Sequence, residues 1–480
     1  MTLHEPAGPQ LSPELTGALP IAELRSSVAA SFPATVSELI DLVAIPGIAW
    51  DAFDAAQLER SAEAVAALIR TTGIADVQIL RVPKEDGTPG GPAVVARKPA
   101  APGQPTIVLY AHHDVQPPGD EALWDSTPFT AEERNGRLYG RGAADDKAGI
   151  MAHIAAFRAI TATLGEEFGV GVTFFIEGEE EAGSPTFADF LKEHQELLSG
   201  DVIVVADSAN WQIGIPALTT SLRGLVDGTV EVRVTGHAVH SGMFGGPLLD
   251  APTLLARLIA TFHDEKGSVA IKGLASSDTA ALDYPEELFR SDAAVLDGVS
   301  LAGTGSLASR LWTQPALSVI GMDIPSVDMS SNTLLPAARA KISLRIAPGQ
   351  DPAEAMAALE AHVTAHAPFG AQATFLPGEA GQPFATDTNA PAAQAALWAM
   401  GESWGVKAVE TGMGGSIPFI ADLKVSFPDA QILVTGVEDP DSRAHSANES
   451  LHLGDFEKAI VSQALLLAAI NAGALGEHGA

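Results

Sequence analysis

Residues 106–117 read TIVLYAHHDVQP: an apolar, β-branched run from Thr106 to Ala111 that ends on His112, His113 and Asp114. Apolar runs without polar alternation suit strands covered on both faces. VGVTFFI (170–176), DVIVVA (201–206) and QILVTG (431–436) share that texture. Between them lie helical stretches, DKAGIMAHIAAFRAI (146–160) and SPTFADFLKEHQELL (184–198), the second with Ser184 as expected N-cap and Pro185 at the first helical position. Strands alternating with helices predict an α/β layer with a largely parallel central sheet flanked by helices. Upstream, a Pro- and Gly-rich start precedes a helix expected around Ser27–Val43. AAQLERSAEAVAALIRTTGI (55–74) then carries Leu58, Ala62, Val65, Leu68 and Ile69 on one face and ends at Gly73.

From about Ser221 the texture changes. GTVEVRVTG (228–236) and ARAKISLRIAP (338–348) alternate apolar and polar residues, the pattern of antiparallel strands with one solvated face. The expected division is a first domain in two parts, 1–220 and 382–480, around an inserted α+β domain at 221–381. Helices are expected in NAPAAQAALWAMGESWG (389–405) and DFEKAIVSQALLLAAI (455–470), where the first domain resumes.

The 480 residues hold 60 acidic and 27 basic side chains, a formal charge of -33, and no cysteine. Such a balance disfavours nucleic acid and anionic membranes as partners. Without thiolates, a metal has to be held by His, Asp and Glu. The start of the chain lacks a basic segment followed by an apolar one, and no run approaches 18 apolar residues. Neither a secretory signal nor a membrane span is expected, and the cysteine-free composition fits a cytoplasmic location.

Strand periodicity puts His112 and Asp114 on one face and His113 on the other, the spacing of an imidazole ligand with a carboxylate that orients it. A polar strand end is the alternative. In NGRLYGRGAADDKAG (135–149), Asp145 stands where a loop enters a helix; the stretch matches no phosphate-loop pattern, and paired aspartates repel phosphate. FFIEGEEEAGSP (174–185) crowds Glu177, Glu179, Glu180 and Glu181 at a strand end, as cation ligands or as a solvated acidic loop. Asp207 ends a further apolar run, and VEDPDSRAHSANES (437–450) offers His445. In α/β sheets chemistry gathers outside the carboxyl ends of parallel strands, so these positions together predict a metal site.

HHDVQP, YGRGAADDKAG, EGEEEAGS, the strand ending in Asp207, HAVHSGMFGG (237–246), TLLPAARAKISLRIAP (333–348), GGSIP (414–418) and RAHSANE (443–449) follow one another in an order that spans nearly the whole chain. In that order they resemble the di-zinc metallopeptidases of aminoacylase, carboxypeptidase and carnosinase type, most nearly the carnosinase-like dipeptidases. The resemblance implies two divalent metals per chain, zinc first, with manganese or cobalt as substitutes. His112, Asp145 and Asp207 would hold one; Asp145, Glu181 and His445 the other, Asp145 bridging. Three carboxylates and one hydroxide then balance two divalent cations. Glu180 would be the general base acting on a water shared by the metals, Asp114 would orient His112, and Glu179 and His113 would be bystanders.

The resemblance also implies a ferredoxin-like form for the inserted lid and dimerisation domain. That domain would bring His240 to the partner subunit's oxyanion in a homodimer, while His237 stays structural. Arg345, Thr333, Gly414, Gly415 and Ser416 would bind the substrate's C-terminal carboxylate. The implied reaction is hydrolysis of a peptide bond next to a free C-terminal carboxylate. N-acyl-amino-acid hydrolysis or carboxypeptidase action is the alternative within the family, and a non-catalytic metal-binding scaffold the alternative outside it. Carnosinase-like chains carry an Arg-Glu pair before GGSIP where this one has Gly412 and Met413, so side-chain specificity does not carry over.

Overall fold

The Thr106–His112 run forms a strand in the middle of a mixed sheet, buried from Ile107 onward. In this computed structural model, residues 8–280, 282–415 and 418–476 are described. Two units are distinguished: Met1–Thr220 with Thr386–Glu410 and Asp422–Ala480, and Ser221–Ala385 with Thr411–Ala421.

In the first unit the strands lie in the order Asp76–Leu80, Ala93–Lys98, Gly171–Glu177, Thr106–His112, Val202–Val205, Gln431–Val434, Ala217–Leu222. The central four run parallel, and the flanking pairs are antiparallel. Ile107, Leu109 and Ala111 join a core built with the helices Ile21–Val43, Lys147–Leu164, Pro391–Trp404 and Leu453–Asn471. Tyr110 points the other way, into an aromatic cluster with Phe175 and Phe187. Both faces are therefore covered, which is why these strands read as continuous apolar runs.

Several local expectations shift. The first long helix starts earlier, at Ile21, and runs through Pro33 to Val43. The helix expected from Ser184 begins at Phe187, with Thr186 at its N-cap and no side-chain cap bond. Ser184 has a left-handed φ of 51°, so it ends a turn instead of opening a helix. Lys147–Leu164 belongs to a segment long and apolar enough to cross a membrane, but most of it is buried inside the first unit.

The second unit folds as strand Gly224–Arg233, helix Ala251–Ile259, strands Ala316–Asp323 and Ala337–Ile346, helix Pro352–Ala365 and strand Gln372–Gly381. In space the second strand of this set is followed by the third, the first and the fourth, all antiparallel, a ferredoxin-like arrangement. Val226, Val230, Ala340, Ile342 and Leu344 pack against Leu254, Leu255, Leu359 and Val363 of the two helices. Alternation leaves Lys341, Ser343 and Arg345 on the opposite face.

His153, on the Lys147–Leu164 helix, is fully buried; its Nε2–H donates to the Tyr110 carbonyl at 3.0 Å. Burial pushes its imidazole down to about 4. The unfolded imidazole, near its ordinary value, binds a proton that the folded one refuses. Its contribution is present above ~6.5 and lost as pH falls toward the folded value. Between pH 7.5 and 5, wild type should lose about 2 kcal/mol more stability than His153→Leu, read from urea midpoints. Identical pH slopes would refute this.

Candidate metal centre

The four parallel strands deliver their carboxyl ends to one edge of the sheet, the place where α/β sheets gather chemistry. One ends at His112; its neighbour ends at Glu177 and turns through Glu180–Ala182; a third leads from Val205 to Asp207; the fourth leads from Val434 into the loop of His445. Asp145 arrives at the start of the Lys147–Leu164 helix.

The loop around Asp145 is held by a carboxylate distant in sequence. Glu449 Oε1 accepts the main-chain N–H groups of Ala144 (3.0 Å) and Asp145 (3.1 Å). Its Oε2 accepts from Gly142 (3.0 Å) and from the Arg141 guanidinium (2.6 Å). Arg137 Nη1 donates to Asp439 Oδ1 at 3.1 Å, and its Nε donates to Ser450 Oγ at 2.8 Å, bracketing the His445 loop. In that loop Arg443, His445 and Asn448 all have left-handed φ, at 56°, 61° and 63°. Such backbone persists only where surroundings enforce it, and it clusters at functional sites.

Asp145 faces both histidines. Its Oδ1 lies 3.1 Å from His112 Nε2 and its Oδ2 lies 3.1 Å from His445 Nε2. Glu181 Oε2 is 3.1 Å from the same His445 nitrogen, while Asp207 Oδ1 and Glu180 Oε2 lie 3.9 and 4.0 Å from His112 Nε2. Ligand atoms of Asp145, Glu181 and His445 lie within 4.8 Å of one another, as do those of His112, Asp146 and Asp207.

The strand stops at His112, so Asp114 lies beyond the pleat and works differently from a simple alternating partner. His112 Nδ1 is 3.1 Å from the Asp114 carbonyl and 3.5 Å from its Oδ1. With Nδ1–H donating there, the Nε2 lone pair points toward Asp145. The Asp114 carboxylate accepts the N–H groups of Glu180 (3.2 Å) and Glu181 (3.0 Å), so one residue positions His112 and the glutamate turn together. His113 is buried, its Nε2 donating to Pro92 O at 2.7 Å. Glu179 accepts from Gly91 N at 2.7 Å and Thr186 N at 2.8 Å.

Electrostatics follow from crowding of carboxylates and imidazoles that are buried apart from the exposed His445 and partly exposed Glu180 and Asp207. Burial pushes Glu180 up to about 9 and Asp207 up to about 7. Burial would also raise Asp145, but hydrogen bonds from His112 and His445 pull it below its ordinary value. Its bonds to Asp145 and Glu181 lift His445 to about 11. Lys147, two residues beyond Asp145, does not neutralise the cluster: its Nζ donates to Leu42 O and Ile45 O, and burial lowers it to about 7. Imidazole nitrogens and carboxylate oxygens that converge with no lysine or arginine counterion among the described residues form a donor set suited to divalent cations.

The second unit holds the remaining candidates. His240 is exposed, accepts the Gly242 N–H on Nδ1 at 3.1 Å, and pairs across a two-strand ladder with Thr333. Arg345 is half-buried on the polar sheet face, Gly414 and Gly415 are half-buried, and Ser416 lies outside the described residues.

Sequence reasoning missed Asp146, Glu438, Glu449 and Arg141. Asp146 Oδ2 accepts the His112 main-chain N–H at 3.2 Å, and its Oδ1 has no hydrogen-bond partner among the described residues. Its approach depends on Gly149, where an added Cβ would lie 2.1 Å from Asp146 Oδ1. The Asp-Asp doublet was the available signal. Glu438 is pushed well above its ordinary value by burial and the neighbouring Asp145 and Asp207, and nothing local in the sequence announces it.

The family model for peptidase family M20/M25/M40 matches residues 108–469. Cysteinylglycine-S-conjugate dipeptidase of Corynebacterium striatum is 38% identical over 371 residues, covering 76% of this chain and 80% of that protein. Cys-Gly metallodipeptidase DUG1 of Saccharomyces cerevisiae is 26% identical, covering 91% and 95%. Among solved structures, human carnosine dipeptidase 1 superposes with a TM-score of 0.70 at 22% identity, covering 94% of this chain and 98% of that one, a likeness of fold.

Proposed function

The chain belongs to peptidase family M20/M25/M40 and is a metallodipeptidase hydrolase, and from that premise we propose that it cleaves dipeptides at the bond next to a free C-terminal carboxylate. The observation that carries the reading is the Asp145 carboxylate, with one oxygen facing His112 and the other His445. In this reading His112, Asp145 and Asp207 hold one divalent cation, and Asp145, Glu181 and His445 the other. Such a pair, zinc first and manganese or cobalt in its place, supplies Lewis acidity for the scissile carbonyl and for water.

The chain's own residues do the rest. Glu180 takes the proton from water and returns it to the leaving amine; burial raises its carboxyl, the direction needed by a group that acts first as base and then as acid. Asp114 orients His112 and the Glu180–Glu181 main chain. His240 donates to the oxyanion, and Arg345, with Thr333 and the Gly414–Gly415–Ser416 main chain and hydroxyl, takes the substrate carboxylate, to which a planar guanidinium is matched.

The proposal assigns residues 221–381 to an inserted lid and dimerisation domain, and 1–220 with 382–480 to the catalytic domain. Homodimerisation is supported by the edge strand Ala316–Asp323, which exposes Val319, Ile320 and Met322. A cytoplasmic location, with neither nucleic acid nor membrane as partner, belongs to the same reading.

Purified protein should carry about two divalent ions per chain and lose activity on chelation, with activity restored by zinc, manganese or cobalt. A panel of dipeptides, N-acyl amino acids and longer peptides should show the highest kcat/KM on dipeptides. Turnover by metal-free protein, or preference for N-acyl amino acids, would overturn the assignment.

A further inference from the structure

Arg223 is 8% exposed, yet among the described residues its guanidinium meets main-chain carbonyls and no carboxylate. Its Nε donates to the Gly414 carbonyl at 3.1 Å, and Nη1 reaches the Arg310 and Gln314 carbonyls at 3.4 Å each. Its own N–H donates to the Met413 carbonyl at 3.2 Å. The Arg310 carbonyl belongs to the last turn of the helix Leu307–Trp312, where main-chain acceptors lack intrahelical partners and a cation is favoured. One side chain thus ties a helix end to the Gly412–Gly415 segment.

Glycines make that approach possible. A Cβ on Gly414 would lie 2.8 Å from Arg223 Nη2, and one on Gly412 would lie 2.5 Å from Trp312 Cβ. The segment is therefore clamped between Arg223 and Trp312, and a residue larger than glycine at 412 or 414 would displace one or the other. Burial, then the nearby Arg345 guanidinium, lowers Arg223 to about 10, so it remains a cation at neutral pH.

We propose that Arg223 is a positioning residue, whose guanidinium fixes the Gly412–Gly415 main chain in the form that receives the substrate carboxylate. This rests on the dipeptidase reading and on the role it gives Gly414 and Gly415. Arg223 acts through that main chain and not on the reacting atoms. Lysine has one compact donor group and cannot span the helix end and the Gly414 carbonyl as a planar fork does.

The test compares wild type, Arg223→Lys, Arg223→Ala and Arg345→Met on one dipeptide, with thermal unfolding of each and inhibition by free glycine as carboxylate probe. Arg223→Lys and Arg223→Ala should raise KM and the glycine Ki together by about 10- to 100-fold, the scale of losing hydrogen bonds made by a charged group, with kcat changed far less. Millimolar guanidinium should restore KM of Arg223→Ala. An unchanged KM in either folded variant overturns the proposal. So does a loss that follows unfolding alone in both variants, with no guanidinium rescue. If wild type neither hydrolyses the dipeptide nor binds glycine, or Arg345→Met leaves KM unchanged, the functional reading falls and the proposal with it. A normal wild type and a defective Arg345→Met beside unaffected Arg223 variants refutes the proposal alone.

Discussion

Glu180→Gln should lower kcat by at least ~10²–10⁴, the usual share of a general acid–base group, while the protein keeps its full metal complement. The amide preserves shape but cannot take a proton from water or return one to the amine. Metal should stay because Glu180 belongs to neither group of converging ligand atoms, its Oε2 lying 4.0 Å from His112 Nε2. The main-chain N–H of residue 180 would still donate to Asp114, so the turn has no reason to move. Metal analysis and steady-state kinetics on the same preparation decide the matter. Retained turnover means that another residue is the base; lost metal means that Glu180 is a ligand.

Asp145→Asn should weaken both ion positions at once, by at least about 100-fold, since even supporting contacts to ligands are worth 10- to 100-fold. Asparagine has one carbonyl oxygen in place of two carboxylate oxygens and carries no charge. Asp145 Oδ1 and Oδ2 each face a different histidine, so neither orientation of the amide serves both. Asp207→Asn is the comparison: its carboxylate converges with His112 and not with His445 and Glu181, so only one ion should be lost. Metal content after gel filtration, with activity measured under added zinc, reads both. Equal loss in the two variants would mean that Asp145 does not bridge.

The parallel strands were legible because burial on both faces removes polar alternation, and Ile107, Leu109, Ala111 and Tyr110 carry that pattern directly. The sequence could nominate His112, Asp145, Glu181, Asp207 and His445 because each sits at a strand or loop end within a short motif. Residues that act through distant main chain were not. Glu449 holds Ala144 and Asp145 across some three hundred residues, and Arg223 holds Gly414 across almost two hundred. Local sequence contains no trace of such pairings. The misplaced helix start at Ser184 has a local cause: the Gly183–Ser184 pair takes left-handed φ values, which completes the glutamate turn before the helix begins.

Glu449 has a consequence for how the centre comes into being. Synthesis proceeds from the N-terminus, and His112, Asp146 and Asp207 are all made within the first half of the chain. His445, and the Glu449 carboxylate that receives the Asp145 N–H, come more than two hundred residues after Asp207. A nascent chain therefore presents His112, Asp146 and Asp207 well before His445 and the carboxylate that holds the Asp145 loop, so in the proposed reading the His445 side of the centre is assembled last.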